Sequence, residues 1–147
     1  MLKHLTACAA LVAVTSTTAT ADEFATSIEA RAMLERAIIA LHADKLGAIG
    51  KFNHNDPAFR DRDLFVFCFN VSDGKFTAHE AMVSQDVRTL RDRAGKPFGE
   101  DIYRSAREGQ IAEVAYVWPL PGSTRYVLKS AYVARAGDQV CGVSAYR

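Results

Sequence analysis

This sequence has little cysteine, little proline and no excess of either charge. Its 147 residues contain three cysteines, four prolines, 18 lysines and arginines, and 17 aspartates and glutamates. No segment approaches the roughly 18 consecutive apolar residues of a membrane-spanning helix. Acidic and basic residues are interleaved, as in segments 60–63 and 91–93, so no basic stripe marks a nucleic-acid surface. The sequence therefore predicts neither a membrane-embedded protein nor a nucleic-acid-binding module.

Motifs of catalysis and metal binding are also missing. The sequence has no G-x-S-x-G nucleophile elbow, no G-x-x-x-x-G-K-[ST] phosphate loop, no H-E-x-x-H and no calcium-binding loop. His54 lies in a segment rich in Asn and Asp, but turn and capping roles explain that composition without a metal. We therefore predict no metal, no cofactor and no enzyme activity. A hydrolase with paired carboxylates such as Glu113 and Asp138 stays open, because no sequence signal speaks for or against it.

Residues 1–21 have the three parts of a secretory signal peptide. A basic start precedes an apolar run over residues 5–14, and Ala19-Thr20-Ala21 matches a cleavage site. We expect cleavage there, a periplasmic or secreted location in a bacterium, and one domain over residues 22–147. A lipoprotein cleavage box ending at Cys8 is the less favoured alternative, because the long apolar stretch follows that cysteine instead of preceding it.

Two cysteines, Cys68 and Cys141, would remain after cleavage. Export would place them in an oxidising compartment, where disulfides persist. A bridge between them would close a loop of more than 70 residues, worth about 4 kcal/mol in the chain-entropy view. Two buried free thiols are the alternative, since the sequence does not give the Cα separation that decides the matter. We favour a structural disulfide.

The order of helical and strand patterns predicts an α+β fold. A long helix is expected from Phe24 to about Ile49, ended by Gly47 and Gly50, and a shorter one from about Glu100 to Glu108. Strands are predicted at Leu64–Asn70, Lys75–His79, Ile111–Trp118, Arg125–Arg135 and Gln139–Tyr146. Short turns make the last three strands a meander. We expect a five-stranded antiparallel sheet with the helices on one side and a helical crossover between strands two and three.

An aromatic strand near the C terminus is the most informative segment. Val114, Tyr116 and Trp118 recur at period two and so share one face of their strand, and Pro121-Gly122 supplies a tight turn. Neighbouring rings on one face can form the wall of a pocket. The same rings can also be ordinary core residues, and composition alone does not separate the two.

The next strand carries Lys129 among apolar neighbours. A buried ammonium needs a partner, and a ligand carboxylate would serve. The alternative is a solvated edge, because strict alternation places Arg125, Lys129 and Arg135 on one face. Alternation also places Tyr132 on the face opposite Lys129 unless a β-bulge intervenes.

Taken together, these residues resemble the single Cache domain, a PAS-like ligand-binding module on the outer side of bacterial chemoreceptors and sensor kinases. The resemblance spans nearly all of the chain after the signal segment. It is carried by the long N-terminal helix, Phe65–Phe69 with Asp73-Gly74 and His79, Gly95–Gly99, Tyr116-x-Trp118-Pro119-x-Pro121-Gly122, Lys129-x-x-Tyr132-Val133, and Gly142–Tyr146.

The resemblance implies a sensor that binds a small organic metabolite, often a short carboxylate, between the sheet and the crossover loops. The implied ligand-binding residues are Tyr116, Trp118, Lys129 and Tyr132, with His79 and Arg88 further out. A membrane-bound sensor kinase or chemoreceptor would read ligand binding. Two alternatives remain: an accessory protein that docks on such a sensor with an empty pocket, and a secreted hydrolase.

Overall fold

The computed structural model describes residues 23–147, and the predicted signal segment lies outside them. The helices are α1 Ser27–Ala43, α2 Lys45–Asn53 and α3 Phe98–Ser105. The strands are β1 Arg60–Asp61, β2 Leu64–Asn70, β3 Phe76–Ala78, β4 Ala112–Pro119, β5 Tyr126–Ala136 and β6 Gln139–Tyr146. These elements confirm the predicted α+β class and the helical crossover ahead of a three-strand meander. Within residues 23–147, every helix is too short or too polar to cross a bilayer.

The predicted single N-terminal helix is two helices that meet at Asp44. This residue is extended, with φ −156°, and its side chain accepts a hydrogen bond from the Gly47 backbone N–H. A Cβ on Gly47 would lie 2.2 Å from Asp44 Oδ2, so the glycine makes room for the cap. The prediction that Gly47 and Gly50 end a helix is wrong, because both lie inside α2, which continues to Asn53.

The sheet is antiparallel, with β4, β5, β6 and β2 as successive neighbours. Both β1 and β3 pair with the outer edge of β2, at opposite ends of that strand. The sheet has six strands instead of the predicted five. The additional strand is β1, whose two residues are too few to show a periodic pattern. Gly137, with φ 64°, forms the tight turn between β5 and β6 and fixes their register.

The helices cover both faces of the sheet, so the prediction that they lie on one side is wrong. On one face, Leu34 and Leu41 of α1 share a buried core cluster with Val66 of β2. Helix α3 packs Phe98 and Ile102 against the other. The central strands β2, β5 and β6 bury apolar side chains in both directions, so each face needs a cover.

A disulfide joins the two central strands of the sheet. Cys68 on β2 and Cys141 on β6 are directly paired in the strand register, with a Cα separation of 4.1 Å. Both residues are fully buried beneath α1. The structure therefore contains the favoured bridge and not the two free thiols.

Candidate functional site

A cavity of about 900 Å³ opens on the face of the sheet that α3 covers. Its floor consists of buried side chains from the sheet and α3, among them Phe67, Phe98, Tyr116, Lys129 and Ser144. Its rim consists of exposed residues: Glu23, Arg62, Glu80, Ala81 and the turn 121–124. The cavity thus joins a buried, mostly apolar floor to a charged, solvent-exposed edge.

Lys129 lies at the centre of this floor. The strand register places Tyr116 directly opposite it on β4 and Tyr146 directly opposite on β6. Its side chain is only 7% exposed, so the alternative of a solvated edge is wrong for this residue. The ammonium lies 4.2 Å from the centroid of the Tyr146 ring, in a cation–π contact. Burial lowers the pKa of Lys129, and the more distant charges of Asp63 and Glu80 partly offset that effect.

The aromatic wall on the β4 side is built from three rings. Phe98, at the start of α3, stacks on Tyr116 with a centroid distance of 4.1 Å and an interplanar angle of 4°. Trp118 meets both rings edge to face, at 5.6 and 5.9 Å. The Tyr116 hydroxyl donates to Ser144 Oγ at 3.1 Å, and burial raises the pKa of that hydroxyl. Val114, Tyr116 and Trp118 therefore share the inner face, as the period-two pattern predicts.

His79 forms part of the opposite wall. Its Nδ1 accepts hydrogen bonds from the backbone N–H groups of Ala81 and Met82, at 3.0 and 3.2 Å. Burial lowers the pKa of His79 to about 4; the charge of Glu80 opposes that shift and the charge of Lys129 adds to it. The ring is therefore neutral near pH 7, with its proton on Nε2. That N–H makes no hydrogen bond to any residue in 23–147.

The arginines of the cavity are already paired. Arg60 forms an ion pair with Glu80 at 2.6 Å, and Arg62 with Glu29 and Asp61. Lys129, in contrast, has no carboxylate within ion-pair distance in the described chain. No cluster of three or more His, Cys, Asp or Glu side chains in residues 23–147 is arranged to hold a metal ion. Lys129 is therefore the cavity cation that a ligand can pair with.

Two predicted site residues lie elsewhere. Tyr132 is on the opposite face of β5, 3% exposed, with the Arg31 guanidinium 4.3 Å above its ring. The pairing of β5 with both neighbours is uninterrupted, so no bulge brings Tyr132 to the Lys129 side. Arg88 binds the Asp86 carboxylate and donates to the Asp73 carbonyl at 2.7 Å. It stabilises the turn between β2 and β3 and does not line the cavity.

A loop between the β3 segment and α3 holds the aromatic wall in place. Asp92, 8% exposed, accepts hydrogen bonds from the backbone N–H groups of Ala94, Lys96 and Val117. Burial raises the pKa of Asp92, but these donors outweigh it and lower the pKa overall. The Lys96 ammonium donates to the Ala115 carbonyl. The loop thereby covers the free edge of β4 and positions Phe98 over Tyr116.

The sequence pattern does not single out Phe98, Ser144 or Tyr146, although all three line the cavity. A local signal for Tyr146 and Ser144 does exist. A two-residue turn at Gly137-Asp138 fixes the β5–β6 register and so places Tyr146 opposite Lys129. Phe98 has no such signal, because its contact with Tyr116 depends on how the crossover packs.

Comparison with known proteins finds no matching family profile and no matching curated protein. Solved structures do match. A methyl-accepting chemotaxis protein from Vibrio parahaemolyticus superposes with a TM-score of 0.62 at 17% identity, covering 81% of this chain and 86% of that one. The periplasmic sensor domain of a chemotaxis protein gives 0.59 at 22% identity, covering 81% and 88%.

A third structure, a Cache chemosensory domain described for carboxylic acid recognition, gives a TM-score of 0.61 at 17% identity and covers 82% of this chain and 92% of that one. The second of these structures is named as a sensor domain and the third as a chemosensory domain. At these identities the likeness concerns the fold. Residues 23–147 have the PAS-like fold of a single Cache domain.

Proposed function

We propose that this protein is an exported sensor domain that binds a small organic carboxylate and does no chemistry on it. The observation that carries the proposal is the Lys129 ammonium, which is buried on the floor of an open cavity without a paired carboxylate in residues 23–147. A buried charge is costly unless it is paired. A ligand carboxylate would supply a charge-assisted hydrogen bond at that point.

The other polar groups of the cavity favour the same ligand class. His79 has an unused N–H, and Ser144 keeps its own hydroxyl proton because it accepts from Tyr116. Of the three carboxylates that line the cavity, Glu80 is paired with Arg60, and Asp63 accepts at one oxygen from the Ala25 N–H while its other oxygen is buried without a partner in residues 23–147. Glu23 lies on the exposed rim. Lys129, His79 and Ser144 therefore offer unused donors to the cavity, and an ionised carboxylate is an acceptor-only group that can take up such donors.

The similar structures support a role in sensing. Two of them belong to chemotaxis proteins, and the third is a chemosensory Cache domain. We propose that the protein acts in the periplasm or outside the cell, and that a membrane-bound chemoreceptor or sensor kinase reads its ligand-bound state. Segments 79–82 and 119–124 line the cavity and are the loop parts of the chain that a ligand would contact.

A thermal-shift screen of organic acids tests this proposal, with Lys129→Met as the site variant and Lys51→Met as the matched control. Lys51 is exposed on α2 and lies outside the cavity. We expect at least one acid to stabilise the protein and the Lys51→Met variant saturably, and Lys129→Met to lose that response while remaining folded. An unchanged response in Lys129→Met rejects the proposal. Consumption of the bound acid, followed by NMR, would indicate an enzyme instead.

A further inference from the structure

The cavity is large for a two- or three-carbon acid. Its volume is about 900 Å³, and pockets of about 300–1,000 Å³ hold drug-sized ligands. A short acid paired with Lys129 would leave most of that volume to water. Hydration of the apolar part of the floor is unfavourable, so a cavity of this size favours a ligand with a sizeable apolar part that displaces the water.

Aromatic rings stand on both sides of the Lys129 ammonium. Tyr116 and Trp118 extend from β4, with Phe98 above them, while Phe65 and Phe67 extend from β2 across the sheet. The strand order places β5, which carries Lys129, between these two groups. If a ligand carboxylate pairs with Lys129, the rest of the ligand therefore contacts aromatic rings whether it extends towards β4 or towards β2.

Some of these aromatic rings are only partly buried by their protein neighbours. Trp118 and Phe65 are both half-buried, and both line the cavity. Phe67 is held where it is because Gly142 beneath it has no side chain; a Cβ there would lie 2.3 Å from Phe67 Cζ. Aromatic surfaces contact other aromatic rings better than saturated ones of the same area.

We infer that the ligand is an aromatic carboxylate: a carboxylate head for Lys129 and a flat, unsaturated body for the surrounding rings. This inference rests on the proposed function, because it keeps Lys129 as the group that meets the carboxylate. It departs from the short acid that the family resemblance implies. The polar groups of the floor lie near the head, and the apolar lining accommodates the body.

Isothermal titration with five probes tests the inference: acetate, propionate, benzoate, cyclohexanecarboxylate and benzamide. An acid that buries a ring binds on the order of tenfold or more tightly than one that buries only a methyl group, because more apolar surface is removed from water. We expect benzoate to bind at least about tenfold more tightly than propionate and more tightly than cyclohexanecarboxylate, which has the same carbon count. Benzamide lacks the charge, and we expect it not to bind.

Trp118→Leu and Phe65→Leu are the site variants, and Tyr126→Leu is the control because Tyr126 is exposed and outside the cavity. We expect each site variant to weaken benzoate several-fold and leave propionate unchanged, with thermal melting confirming that each is folded. Propionate binding as tightly as benzoate, with Lys129 still required, overturns the inference and leaves the proposed function standing. If none of the four carboxylates binds while another acid of the thermal-shift screen does, the inference alone is overturned. If benzamide binds as well as benzoate, the carboxylate is not what Lys129 recognises and the proposed function itself is overturned.

Discussion

The Lys129 ammonium lies 4.2 Å from the centroid of the Tyr146 ring, and the two residues face each other directly across β5 and β6. A cation–π contact holds the ammonium without neutralising its charge. The ring thus keeps the lysine in position while leaving it able to pair with an anion. The arginines of the same cavity, each bound to a carboxylate, have no such freedom.

Lys129→Met is expected to stabilise the protein in the absence of ligand. The folded state pays to bury an unpaired ammonium, and methionine fills a similar volume without that penalty. We expect the free energy of unfolding to rise by about 1 kcal/mol in urea titrations. The exposed Lys51→Met should leave it unchanged. A clear destabilisation by Lys129→Met would mean that the ammonium has a structural partner.

Loss of the disulfide is expected to destabilise the fold strongly. The bridge joins residues 73 positions apart in sequence, which corresponds to about 4 kcal/mol of chain entropy. We expect the Cys68→Ala/Cys141→Ala protein to lose roughly that amount in denaturant unfolding. Because both cysteines are fully buried, reductant should act on the wild-type protein only as it unfolds. Equal stability with and without the bridge would contradict this prediction.

His79 is expected to make the protein less stable in acid. Its folded-state pKa of about 4 lies below the ordinary value of 6.5, so the unfolded chain binds a proton more readily. The contribution of the neutral His79 ring to the free energy of unfolding is fully present above about pH 6.5. It is lost as the pH falls towards 4, by up to about 3 kcal/mol.

His79→Asn tests this pH dependence because the amide oxygen can still accept from the Ala81 and Met82 N–H groups. Unfolding free energies measured between pH 7 and 4 should fall less steeply for the variant than for the wild type. An NMR titration of the His79 ring gives the pKa directly. Parallel pH profiles for the two proteins would show that His79 does not carry the effect.

Gly142→Ala is expected to destabilise the protein and narrow the cavity. A Cβ at this position would lie 2.3 Å from Phe67 Cζ and 2.7 Å from Val133 Cγ1. Overpacking of this kind costs about 1–3 kcal/mol. The matched control is Gly50→Ala in α2, where a Cβ meets nothing within 4 Å; it should be neutral or stabilise by up to about 1 kcal/mol. The melting temperatures of the two variants are compared with each other. Equal values would argue against a steric clash of the added Cβ at position 142.

Local patterns in the sequence determined the strands and much of the floor of the site. Successive side chains of a strand must point to opposite faces of the sheet. This alternation places Tyr116 and Trp118 on the same face of β4, and it places Lys129 and Tyr132 on opposite faces of β5. The tight turn at Gly137-Asp138 sets which residues of β5 and β6 are paired. These are short-range constraints, and they do not depend on where any distant segment of the chain lies.

Tertiary structure alone decided the rest. The pairing of β2 with β6 brings Cys68 to Cys141, and the packing of the crossover brings Phe98 onto Tyr116 and takes Arg88 away from the cavity. Asp44 divides the first helix because a cap there lets α2 turn and bury Phe52. Such contacts join distant segments, and they form because the whole chain must cover both apolar faces of one sheet.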